Sequence, residues 1–257
     1  MIPSSIVFAF VIAAIFTVAV PIVILIVLGM KRKISGLPLL FGAAAFFLSQ
    51  VVLRMPLMSM LSGQNWYQAF AAQFFLHALF LSFSAGLFEE SARLGGALLL
   101  KKHRSYKDVI TFGLGHAFCE VFILVGIANL SNSLSCLFIN SGNGLSMLPS
   151  EQMETMLAWL TNINTMDVYL GVLERFIAVI FHIFATVLVF KGVAKKKIHY
   201  YFLAILVHTL FNLSAVLLAQ FAGGVISEIA LLIVALAMGF YVLKRKEDFT
   251  LSNKKVK

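Results

Sequence analysis

The chain has 257 residues, of which 61% are hydrophobic, 12% are charged and 25 are Phe; the apolar share lies well above the roughly 45–50% of a soluble domain. Its net charge of +9 would ordinarily raise nucleic acid as a partner. The basic residues, however, stand in clusters between long apolar runs, the pattern of cytoplasmic loops. Composition therefore excludes a soluble enzyme and a nucleic-acid-binding module, and predicts one all-α, polytopic membrane domain over 1–257 with the lipid bilayer as its surroundings.

Runs of about 20 apolar residues, the length that crosses a bilayer, predict seven spans at roughly 4–30, 36–60, 67–100, 108–130, 167–190, 198–220 and 225–243. In the first, the positive charge of Lys31–Lys33 follows the apolar stretch, so it reads as a retained helix and not as a cleaved signal. The third is long enough to tilt or break. Of the 20 Lys and Arg, 17 fall at 31–33, 101–107, 191–197 and in a basic tail, 244–257. The segments 61–66 and 131–165 hold none, which predicts N-out, C-in. The outer loop, 131–165, is rich in Ser and Asn, and "PSEQMETMLAWL" within it predicts a short interfacial helix capped by Ser150. Cys119 and Cys136 fit no zinc or redox spacing and read as free thiols, with Cys136 in the polar loop.

Charges inside spans need partners or a purpose. Arg54 reads as snorkelling to the interface. At about 1.5 Å per residue, Glu89 lies about 18 Å from Lys101, His116 about 14 Å from Lys107, His182 about 14 Å from Lys191 and His208 about 16 Å from Lys197. Four helices thus offer polar groups at one depth, and a shared site accounts for that where separate buried histidines do not. Glu89 and Arg93, His116 and Glu120, and His208 and Asn212 are i,i+4 pairs, each on one helix face. Gly113 and Gly115 beside His116 let helices approach closely. Glu174 and Arg175, nearer the outer surface, read as an ion pair in a supporting role.

The stretches "EESAR" (89–93), "HAFCE" (116–120), "ERFIAVIFH" (174–182) and "HTLFN" (208–212) resemble, in order, the motifs of glutamate-type intramembrane proteases: the CAAX prenyl endopeptidases, the CPBP or Abi proteins, PrsW and, nearest in pattern, the YhfC family. EExxR stands here where the CPBP pattern has EExxxR. The resemblance implies peptide-bond hydrolysis within the plasma membrane of a bacterium, on a membrane-embedded peptide or protein, with a catalytic four-helix core at about 67–220. It also implies that a glutamate of the pair and a histidine activate water and that the HxxxN motif donates to the oxyanion.

Amide hydrolysis needs a base near neutral pKa, and burial against a neighbouring cation can drive two adjacent glutamates to different roles. Glu89 is then the base, Glu90 pairs with Arg93, His116 carries the proton to the leaving amine, His208 and Asn212 stabilise the oxyanion, and His182 orients the others. No cofactor is expected. The alternatives are a zinc protease using His116, Glu120, His182 and His208 as ligands, although HEXXH is absent, and a proton-coupled transporter built on the same acids and histidines.

Overall fold

A computed structural model describes residues 1–142 and 150–250, and among these residues every regular element is helical. In chain order they are α1 (Ser4–Met30), α2 (Gly36–Ser62), α3 (Asn65–Ala71), α4 (Phe74–Leu99), α5 (Tyr106–Asn140), α6 (Ser150–Asn162), α7 (Thr165–Lys195), α8 (His199–Ala222), α9 (Gly224–Leu243) and α10 (Lys246–Thr250). Helices satisfy their own backbone groups, which hydrocarbon demands of any spanning segment. Six are long and apolar enough to cross a membrane, and a seventh span is counted if α3 and α4 are taken together. The expectation of a polytopic all-α membrane protein holds.

The third predicted span does break. α3 and α4 meet at 106° across Gln73, whose φ and ψ of −86° and 84° leave the helical region. Tyr67 Oη and His77 Nε2, 3.1 Å apart, pin the corner. Three helices carry π-helical turns: Ile15–Ala19 in α1, Phe47–Arg54 in α2 and Val121–Gly126 in α5. The first two end two residues before Pro21 and Pro56. Proline removes the bond to the carbonyl four residues earlier and its ring crowds that carbonyl, and the widened turns contain those positions, Thr17 and Val52.

The chain divides into two compact units. Unit 1 takes Met1–Leu28 and Val121–Phe176. Its core packs Ile6, Ala9, Phe10 and Ala13 of α1 with Cys136, Ile139, Leu160 and Val172. Asn140 clasps the N-terminus from both sides, accepting from the Ile2 amide at 2.7 Å and donating to its carbonyl at 3.0 Å. Residues 131–140, read above as the start of the outer loop, are helical. Cys136 therefore does not lie in a polar loop: the helix turns it into the apolar core, fully buried and unoxidised. Arg175 donates to the adjacent Glu174. A helix does run over Ser150–Asn162, while the capping side chain of Ser150 and the tail beyond Thr250 lie outside the described residues.

Unit 2 takes Gly29–Glu120 and Ile177–Lys257. The first halves of α2 and α5 touch backbone to backbone: a Cβ on Gly42 would overlap the Phe112 carbonyl, and one on Gly115 would overlap that of Leu39. Gly113 admits the backbone of Ile183 on α7, and Gly86 admits Ile205 and His208 on α8. Small residues are what allows membrane helices this proximity. A core of Ala97, Val109, Phe112, Val187, Phe190 and Ala204 fills the space between α4, α5, α7 and α8, and Phe249 of α10 is buried in it.

Asp248, beside Phe249, faces Lys191 at 3.2 Å, Lys195 at 3.5 Å and Arg245 at 3.9 Å. Burial pushes its carboxyl up, but the three cations outweigh burial and hold it below the ordinary value of 3.8. A group depressed in this way stabilises the folded state fully above its unfolded pKa and loses that contribution as pH falls through the folded one. Asp248→Asn should accordingly lower the melting temperature at pH 7, and the gap to wild type should close on acidification below about pH 4. A gap that stays constant down to pH 3 would show that the carboxylate charge contributes nothing.

Candidate metal centre

Helix α4 brings Glu89, Glu90 and Arg93 into unit 2 with all three side chains buried, Glu90 and Arg93 completely. Arg93 lies one turn beyond both glutamates, and its guanidinium bonds Glu90. α5 contributes His116 and Glu120, α7 contributes His182 and α8 contributes His208, all buried. The shared depth computed from the sequence corresponds to one real cluster.

Within it Glu89 is the hub. Its Oε2 lies 2.9 Å from His116 Nε2 and 3.8 Å from His182 Nδ1, and its Oε1 lies 4.0 Å from His208 Nε2. His182 Nε2 stands 2.5 Å from Glu120 Oε2, and His208 Nδ1 2.8 Å from Glu90 Oε1. The partners assign the protons. Arg93 can only donate, so His182 Nδ1, 3.1 Å from its guanidinium, is an acceptor and the ring's proton sits on Nε2 toward Glu120, where a metal ion would displace it. The Glu90 carboxylate can only accept, so His208 donates to it from Nδ1. Aromatic rings close the cluster, Phe46 edge-on to His116 at 5.4 Å and Phe181 edge-on to His208 at 4.9 Å.

Asn212, one turn beyond His208, is half-buried and forms no side-chain hydrogen bond among the described residues. Glu174 and Arg175 belong to unit 1 and are not among the residues gathered here.

Two residues of the cluster escaped the sequence reading. Gln50 is buried and donates from Nε2 to Glu89 Oε1 at 2.9 Å. Arg54 donates to Gln50 Oε1 at 3.2 Å, to Ser84 Oγ at 3.0 Å and to the Leu81 carbonyl at 2.8 Å. The expectation that Arg54 snorkels is thus corrected: α4 offers acceptors for its fork, so the guanidinium turns inward. The spacing carries the signal, since Gln50 and Arg54 are another i,i+4 pair on one helix face.

The donor set suits a metal ion. Glu89, His116, Glu120 and His182 each bring one ligand atom to within 4.8 Å of all the others, and all four are buried. Two imidazoles and two carboxylates form a set that zinc accepts. His116 Nδ1 is buried without a hydrogen-bond partner among the described residues, so this ring is not locked into its present tautomer by a second bond.

Residues 16–236 match the family described as YhfC intramembrane metalloprotease. The chain is also similar to the uncharacterized membrane protein YhfC of Bacillus subtilis (strain 168), 29% identical over 174 residues that make up 64% of this chain and 67% of the relative. No solved structure matches it. Together with the four-residue cluster, the family description overturns the expectation of a site without a cofactor: two acids and two imidazoles converge in a group that can hold a metal ion. The matched span covers most of the sequence, and the chain belongs to the YhfC intramembrane metalloprotease family.

Proposed function

We propose that this protein is a zinc-dependent intramembrane endopeptidase that hydrolyses a peptide bond of a membrane-embedded or lipid-associated substrate. The observation that carries the reading is the buried His–Glu cluster on helices of membrane-spanning length. His116, Glu120 and His182 would hold the metal, three protein donors being the usual number in a catalytic site that keeps a position open. Zinc bound there supplies Lewis acidity toward a carbonyl oxygen and acidifies water.

The remaining residues bind, orient and move protons. Glu89, beside the donors, is the base that removes a proton from the attacking water. Glu90 is occupied by Arg93 and His208 and orients both. His208, with Nδ1 donating to Glu90, presents Nε2 toward Glu89, and in its cationic form it donates to a developing oxyanion. The Asn212 amide, one turn away, is available as a second donor. The order of the EE, His and HxxxN motifs supports kinship with the CPBP and PrsW proteins, and the four basic clusters support an N-out, C-in topology in a bacterial plasma membrane.

The full-length protein, purified in detergent, is expected to carry one zinc per chain and to cleave a synthetic transmembrane peptide. A strong chelator should abolish cleavage and added zinc should restore it. His116→Ala should lose the metal. Cleavage that persists in the chelated, zinc-free protein would refute the metal-dependent reading.

A further inference from the structure

We infer that Gln50, with its amide turned by Arg54, is a positioning residue that fixes which oxygen of Glu89 faces the metal donors. The inference rests on Glu89 being the base proposed above.

A carboxylate can rotate about its last bond and present either oxygen. Here Oε1 is held by Gln50 Nε2 at 2.9 Å, which leaves Oε2 toward His116 and His182. The primary amide is itself ambiguous, because its oxygen and nitrogen occupy nearly the same space. Turned over, Gln50 would set its oxygen against that of Glu89, acceptor against acceptor. Arg54 removes the ambiguity: it has only donors, and its Nη1 lies 3.2 Å from Gln50 Oε1, so the amide nitrogen must face Glu89. Arg54 is anchored in turn by Ser84 Oγ and the Leu81 carbonyl. The relay starts on α4, crosses to α2 and returns to α4 at Glu89.

The backbone explains why α2 can supply it. Gln50 and Arg54 lie in the π-helical segment Phe47–Arg54, and that segment packs against α4. Widened turns of this kind are frequent at functional sites. Both side chains face one neighbour, and each hydrogen bond of the chain has a single sense of donation. The arrangement fixes geometry without placing a new titrating group beside the donors.

The test uses Gln50→Met, which keeps length and lacks the amide, in the full-length zinc-loaded protein. Partners in the outer shell of metal sites are typically worth about 10–100-fold in activity, so kcat on a synthetic transmembrane peptide should fall by about that factor with KM within about twofold. Zinc affinity, measured by chelator competition, and the visible spectrum of the cobalt-substituted protein should match wild type. Arg54→Met should act in the same direction, and Arg54→Lys, which retains a donor, should recover part of the rate.

A melting cycle needs no substrate. The loss of melting temperature caused by Gln50→Met should shrink in a Glu89→Met background, which lacks the acceptor, because residues in one network couple. Equal losses in both backgrounds, or wild-type kcat in Gln50→Met, overturn the assignment. A wild-type protein that cleaves nothing while the melting cycle shows coupling leaves the positioning role standing and removes the protease reading instead.

Discussion

Glu89→Gln is expected to lower turnover by about 10²–10⁴-fold, the usual worth of a general base, while the protein stays folded and zinc-loaded. The glutamine oxygen still accepts from Gln50 Nε2, which now reaches Glu89 at 2.9 Å. What disappears is the capacity to take a proton. Metal content by elemental analysis, melting temperature and peptide cleavage should be measured on one preparation. Zinc lost together with activity would move Glu89 from base to ligand, and wild-type cleavage would end its catalytic role altogether.

Glu90→Gln should fail in a different way. Glu90 and Arg93 are the most completely buried charges of the cluster and are bonded to each other, with His208 on the same carboxylate oxygen. Neutralising Glu90 leaves a cation in a low-dielectric interior, and breaking a buried pair from one side costs about 3–5 kcal/mol. Yield and melting temperature should drop along with activity. Double replacement, Glu90→Gln with Arg93→Gln, removes the stranded charge and should recover part of the stability while activity stays low, since His182 Nδ1 then loses its donor. A single Glu90→Gln variant as stable as wild type would mean that the pair adds no net stability.

Much of the centre was legible because hydrocarbon makes polar residues conspicuous. His116, His182 and His208 stand out against their surroundings, and helical rise alone converts their positions into a common depth. Donor identity was legible in part as an alternative, with zinc on His116, Glu120, His182 and His208, of which the observed group keeps the first three and has Glu89 in place of His208; the choice between a bare site and a metal site needed the convergence of four side chains on a few ångströms, which spacing on separate helices cannot give. Gln50 and Arg54 were not legible as part of the centre because whether a side chain snorkels or turns inward depends on the acceptors that the neighbouring helix offers. Cys136 was misplaced because Ser and Asn suggest a loop, whereas here a helix buries Asn129 and Ser133 on the same face as the thiol and turns Leu130, Leu134 and Leu137 outward. The corner at Gln73 carries no Pro or Gly to announce it.

The glycine contacts between α2 and α5 bear on how a substrate enters. A transmembrane substrate can reach a buried centre only through a lateral opening, where two helices part or a side chain swings aside. At Gly42 and Gly115 the facing backbones are already in contact, so there is no rotamer to rearrange and no side chain to serve as a latch. On the proposed reading this seam would serve as a fixed wall of the centre, and bulk introduced at either glycine would force the two helices apart.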